Sequence, residues 1–124
     1  MEFLTIEGTH KTPGITADAK QGVIEIRGRS HPENTAEFYR PLMDWADEYV
    51  TSPLEKTTIN IELEYFNTST SKVLLNILRK FEAIENSGEN VTVNWYYEDE
   101  DEDELETGEY YSQILDLGFN YIGV

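Results

Sequence analysis

The densest hydroxyl chemistry in the chain lies in six consecutive residues, Asn67-Thr68-Ser69-Thr70-Ser71-Lys72. A strand pattern over Thr57–Phe66 ends just before them, and a helical pattern over Lys72–Glu85 follows. At such a junction an Asn, Ser or Thr side chain accepts hydrogen bonds from the free N–H groups of a first helical turn. A phosphate is equally suited there, because it would face the positive end of the helix dipole and the remaining unpaired donors. One hydroxyl can cap while its neighbour is modified, so the run points to a cap, a phosphoacceptor, or both.

The second concentration of functional groups is acidic. Residues Glu98–Glu106 hold eight carboxylates in nine positions, interrupted only by Leu105. Blocks of like charge ordinarily form solvated loops that favour solubility. A calcium loop would need a glycine at its sharp turn, and this run has none. A looser magnesium site remains the alternative, which would make the chain a divalent-cation-binding protein or enzyme using loop 98–106. If the run shares an edge with the hydroxyls, a phosphate would add about −1.5 to −2 charges beside it. That would alter what the edge can bind more than it alters stability.

Other chemistries lack their residues. There is no cysteine, which excludes disulfides, thiolate catalysis and Cys-based zinc sites. The two histidines, His10 and His31, fall in loop patterns, and neither a Gly-x-Ser-x-Gly elbow nor a Gly-rich phosphate loop with its lysine occurs. The sequence therefore predicts no enzyme, no catalytic residue, no bound metal and no cofactor. Arg29 leaves its strand toward the same edge as the hydroxyl run and can pair with a phosphate or with a nearby carboxylate. The net charge of −16 disfavours nucleic acid and anionic membrane as partners. No segment reads as a signal peptide or a bilayer span, so the expected location is the cytoplasm.

The elements that would position these groups alternate between strand and helix. The 124 residues suit one domain, 1–124, with a real core, and 39% of them are hydrophobic. Phe3–Glu7 and Ile15–Ala19 read as short strands, and Lys20-Gln21-Gly22 turns the chain into Val23–Arg27 to form an N-terminal hairpin. A helix capped by Asn34 or Thr35 follows, with Phe38, Leu42, Trp45, Ala46 and Tyr49 on one stripe and a kink or restart expected at Pro41. Ile59, Ile61, Leu63 and Tyr65 alternate with polar residues along Thr57–Phe66, which predicts a sheet covered on one face. Leu74, Ile77, Leu78, Phe81 and Ile84 form the next helical stripe. Val91, Val93, Trp95 and Tyr97 make the last strong strand. A final helix is expected over Glu106–Leu117 with Tyr110, Ile114 and Leu117 inward, followed by Phe119–Ile122 as a docked apolar tail. Strands joined through helices are parallel with right-handed crossovers, so three strand-to-helix connections share the carboxyl edge, where sites form in open α/β sheets.

Taken together, several blocks resemble the SiaC family of bacterial regulatory phosphoproteins over nearly the whole chain. They are Gly28-Arg29-Ser30 with Pro32-Glu33-Asn34, Phe38-Tyr39 with Pro41 and Trp45, Glu64-Tyr65-Phe66-Asn67-Thr68-Ser69 with Ser71-Lys72, and Trp95-Tyr96-Tyr97-Glu98 with Gly108-Glu109. The resemblance implies a single STAS-like α/β domain. Its expected form is a mixed sheet of four to five strands with helices mainly on one face. It implies a non-enzymatic partner switch, in which a protein kinase phosphorylates one threonine and a PP2C-type phosphatase removes the phosphate. The unphosphorylated form would bind and activate a diguanylate cyclase, placing the protein in c-di-GMP signalling and the control of biofilm and aggregation. On this chain the implied phosphoacceptor is Thr68, with Ser69, Thr70 and Ser71 as secondary candidates. Asn67, Arg29, Ser30, Lys72 and Tyr97 are the expected residues of the site edge and partner contact.

Overall fold

The computed structural model describes residues 1–124. In chain order the elements are β1 (Leu4–Ile6), β2 (Gly14–Asp18), β3 (Val23–Ser30), α1 (Thr35–Tyr49), β4 (Thr57–Phe66), α2 (Thr68–Phe81), α3 (Ser87–Asn90), β5 (Val91–Tyr97), α4 (Glu102–Ile114) and β6 (Gly118–Gly123). They build one mixed sheet whose spatial order equals the sequence order, β1 through β6. β2 is antiparallel to both β1 and β3, and β3, β4, β5 and β6 run parallel. Six strands replace the four to five expected. The additional one is the segment read as an apolar tail. Phe119–Ile122 lies within β6, which pairs with β5 so that Trp95 stands opposite Tyr121.

One sheet face is apolar because the strands alternate. Ile24, Ile26, Ile59, Ile61, Leu63, Val91, Val93 and Trp95 are buried on it. Tyr39, Leu42, Trp45, Ala46 and Tyr49 of α1, Leu74, Ile77, Leu78 and Phe81 of α2, and Tyr111 of α4 complete the same core. The opposite face is polar and carries a cross-strand row, Glu25, Asn60, Asn94 and Asn120. Asn120 donates to Asn94 at 3.1 Å, Asn94 to Asn60 at 2.8 Å and Asn60 to Glu25 at 3.3 Å. Arg27 ties that row to the next by binding both Glu25 and Glu62 at 2.8 Å. Amides satisfy one another along the row, so this face needs no covering layer.

Helix α1 continues through Pro41 and does not restart there. Pro41 and Glu37 are both exposed, so the carbonyl that loses its partner faces water. Phe38 is half-buried, whereas its neighbour Tyr39 is fully enclosed. Two helix starts also differ from the expectation. α2 begins at Thr68, so the hydroxyl run is the first helical turn rather than a lead into it, and it ends at Phe81. α4 begins at Glu102, which turns the second half of the acidic run into helix. Its inward residues are Glu104, Gly108, Tyr111 and, just past its end, Leu115, while Tyr110 and Ile114 are exposed. Gly108 sets that phase: a Cβ there would stand 2.7 Å from the Trp95 ring, so only glycine lets α4 lie on β5.

Candidate functional site

Three crossovers leave the carboxyl ends of β3, β4 and β5, and they gather on one edge of the sheet. There the pairing of β3 with β4 slips. Gly28 stands opposite Leu63 and Arg29 opposite Tyr65, which leaves Glu64 without a partner. Gly28 takes φ +118 at this point, a conformation that side chains disfavour. A bulge re-aims the residues that follow it. Glu64 and Tyr65 both become exposed, and Phe66 turns back to meet the Trp95 ring edge-on at 6.1 Å. The expectation that Tyr65 continues the apolar face is thereby corrected.

The hydroxyl run divides in two. Asn67 is the N-cap of α2, and its Oδ1 accepts the Thr70 N–H at 2.9 Å. The Asn67 N–H in turn donates to the Ser30 carbonyl at 3.1 Å, joining α2 to the end of β3. Thr70 is fully buried and donates its hydroxyl proton to the Ser30 carbonyl at 3.1 Å. That fixes the remaining protons, since a carbonyl only accepts. Ser30 Oγ donates to Thr70 Oγ1 at 2.8 Å, and the Tyr39 hydroxyl donates to Ser30 Oγ at 2.7 Å. Burial pushes the Tyr39 phenol up to about 12, so it stays a donor. Ser71 is held from the other side by Tyr111 of α4, whose hydroxyl donates to the Ser71 carbonyl and accepts from Ser71 Oγ at 2.9 Å. Thr68 and Ser69 are exposed, and neither hydroxyl joins this network. Thr68 opens the helix, and the cap leaves the N–H groups of Thr68 and Ser69 free.

The other residues expected at the edge are only partly brought together. Arg29 lies over the Tyr65 ring at 5.3 Å from its centroid, and His31 meets the same ring edge-on at 5.6 Å. None of the four ion pairs includes Arg29, so the carboxylate partner considered for it is replaced by an aromatic one. Lys72 is exposed, one turn along α2. Tyr97 is half-buried against the core at the end of β5, and its carbonyl accepts the Val124 N–H at 2.9 Å.

The acidic run supplies the opposite wall. Asp101 caps α4 by accepting the Glu104 N–H at 3.0 Å, and Trp95 Nε1 donates to the Glu104 carbonyl at 2.9 Å. Glu104 is only 6% accessible. Its carboxyl group has risen to about 7, first through burial and then through the charges of Asp101 and Glu98. A cleft of about 300 Å³ lies between Glu64, Tyr65 and Phe66 on one side and Asp101, Asp103, Glu104 and Thr107 on the other. No three of the chain's His, Asp and Glu side chains converge closely enough to hold a metal ion.

The raised Glu104 group has a consequence for stability. A carboxyl raised in the fold binds its proton more tightly there than in the unfolded chain. Its contribution is therefore complete below about pH 4.5 and is lost as the pH climbs through about 7. Glu104→Gln is expected to stabilise the protein above that point by about 1–2 kcal/mol, after discounting for water at the cleft mouth. Urea unfolding of both proteins at mildly acidic and mildly alkaline pH checks this, and a gain that fails to grow with pH would refute it.

Glu104, Tyr39 and Tyr111 are the site residues that pattern reading missed. The spacing Glu104, Gly108, Tyr111, Leu115 is helical, but two of its four members are not apolar, so the stripe is hidden.

Comparison with known proteins places this geometry. Residues 6–124 match the family model described as SiaC family regulatory phosphoprotein. An uncharacterised protein of Pseudomonas aeruginosa (strain UCBPP-PA14) is 30% identical over 119 residues, covering 96% of this chain and 94% of that protein. The crystal structure of apo-SiaC from Pseudomonas aeruginosa superposes with a TM-score of 0.86 at 28% identity, over 99% of this chain and 100% of that one. A chain from the crystal structure of the diguanylate cyclase SiaD in complex with its activator SiaC, also from Pseudomonas aeruginosa, gives a TM-score of 0.88 at 28% identity, over 98% and 99% of the two chains.

Proposed function

Because this chain belongs to the SiaC family of regulatory phosphoproteins, we propose that it is a non-enzymatic binding module switched by phosphorylation of Thr68. A protein kinase adds the phosphate and a PP2C-type phosphatase removes it. The unphosphorylated form docks on a diguanylate cyclase in the cytoplasm and activates it. The reading is supported by the similar SiaC, which is an activator in complex with the cyclase SiaD. The observation that carries it is the separation within the hydroxyl run. Thr70 and Ser71 are locked into tethers from β3, α1 and α4, whereas Thr68 is exposed at the first position of α2.

The mechanism is electrostatic and steric. A phosphate on Thr68 lies beside the free N–H groups of the first turn, which accommodate its charge without disturbing the fold. The phosphate also adds charge and bulk at the carboxyl edge of the sheet, so a docking partner meets both together. Thr68→Asp is expected to weaken cyclase association about tenfold to a hundredfold, and Thr68→Ala to bind while resisting the kinase. Isothermal titration with the cyclase, together with c-di-GMP synthesis assays, measures both. Equal affinity of the phosphorylated and unphosphorylated protein for the cyclase would sink the proposal.

A further inference from the structure

We propose that the cleft between Tyr65 and Glu104 is a receptor for a basic side chain, arginine by preference, presented by the protein partner. The proposal deepens the partner-docking reading above and rests on it for the identity of the occupant. Four carboxylates line the cleft, from Glu64, Asp101, Asp103 and Glu104, and Tyr65 and Phe66 supply its aromatic wall. None of the four carboxylates takes part in an ion pair, since the pairs of this chain are Arg27 with Glu25 and Glu62, Arg79 with Glu82, and Lys80 with Asp47.

The start of α4 explains part of this cluster. Asp101 is its cap, and acidic residues are favoured in a first turn. It does not explain Glu104. Glu104 is more than nine-tenths buried, its carboxyl group bonds only to the Asp101 side chain and the Glu98 backbone, it receives no cation from its own chain, and it lines both this cleft and a smaller one of about 140 Å³ bounded by Tyr96, Tyr97, Glu98 and Val124. The titratable and charged groups packed around it are Glu62, Glu64 and Tyr65 from β4, Tyr96 and Tyr97 from β5, Glu98 and the cap residue Asp101 before α4, and Asp103 on α4 itself. Of these carboxylates only Glu62 is paired. A buried carboxyl at the floor of a cleft, with uncompensated charge around it and an aromatic wall, is complementary to a guanidinium group. The planar cation stacks on the ring and bonds the carboxylate through two N–H groups, which an ammonium cannot do. Arg29 over Tyr65 already shows this ring accepting a guanidinium.

Binding a cation there draws the proton from Glu104, so affinity should rise with pH through the range in which that group titrates. The test uses the full chain, labelled with nitrogen-15 and titrated with N-acetyl-arginine methylamide at constant ionic strength. Lysine methylamide and magnesium chloride serve as competitors. Expected are saturable shifts confined to the amides of residues 64–66 and 101–107, weaker binding of the lysine probe, and tighter binding at about pH 8 than at about pH 6. Glu104→Gln should weaken the arginine probe about tenfold. Shifts that never saturate, that spread over the whole acidic surface, or that persist unchanged in Glu104→Gln would overturn the proposal. Displacement by magnesium at equal ionic strength would also overturn it, since the cleft would then be a divalent-cation site.

The occupant is tested on the complex. Glu104→Gln should weaken association with the cyclase and leave Thr68 phosphorylation unchanged. Full cyclase affinity in a variant that has lost the arginine probe would overturn the assignment to a partner side chain. The titration contains no partner, so its failure leaves the Thr68 switch intact, and failure of the Thr68→Asp test leaves the titration intact.

Discussion

Trp95→Ala will remove about 3–5 kcal/mol of unfolding free energy. Small domains hold about 5–15 kcal/mol in total, so about a fifth or more of the margin rests on this side chain. Trp95 is 1% exposed and joins β4 to α4. Its ring stands edge-on to Phe66 at the end of β4 and edge-on to Tyr111 of α4 at 5.5 Å. Gly108 presses against its five-membered ring. The indole N–H closes the first turn of α4 by donating to the Glu104 carbonyl. Alanine would leave a cavity lined by two aromatic rings and a glycine, with nothing able to collapse into it. Urea unfolding gives the magnitude, and amide hydrogen exchange gives the location. Exchange should quicken most along α4, whose remaining attachments are few. A loss below about 1 kcal/mol would show that α4 is held by something other than this ring.

Ser30→Ala will cost about 2–3 kcal/mol although it deletes a single oxygen. That oxygen accepts from Tyr39 and donates to Thr70, and all three side chains are buried. Removing it strands the Tyr39 hydroxyl in an enclosed site and strips Thr70 of one partner. Tyr39→Phe deletes the stranded donor itself and should cost only about 1 kcal/mol. The double variant should then be more stable than the sum of the two losses implies, by about 1 kcal/mol or more. Strict additivity would mean that the three hydroxyls do not act as a chain. The network matters beyond stability, because Thr70 is the third residue of α2 and Thr68 the first. Whatever loosens Thr70 also loosens the turn that presents Thr68.

Much of this arrangement is legible in the sequence, because each strand is bounded by turn residues and the apolar alternation of β3, β4 and β5 is clean. The carboxyl edge follows from the strand–helix order. Position along the edge is harder to read. Tyr65 continues an apolar alternation on paper, and only the slipped pairing at Gly28 turns it outward. Glu104 reads as one more charge in an acidic run, because nothing local reveals that Gly108 draws that turn of helix onto Trp95. β6 is short, and its alternation is broken by glycine at both ends, so its pairing is decided by the open edge of β5 and not by its own residues. Within the hydroxyl run, composition gives four equivalent candidates. Partners from 40 residues away in either direction tie down two of them, Thr70 and Ser71, and leave Thr68 and Ser69 exposed.

The identity of spatial and sequential strand order has a consequence for synthesis. Each strand lies beside its neighbour in the chain, so no strand waits for a later one to be inserted between it and its partner. Every new strand from β4 onward meets an edge already present, and loop closure stays local throughout. A growing chain can thus lay down its sheet in the order in which residues emerge. The tether of Ser30, Tyr39 and Thr70 is complete once α2 has docked. The acidic wall and the hold of Tyr111 on Ser71 arrive only with the last third of the chain. The hydroxyl-bearing turn is therefore in place before the acidic run is added.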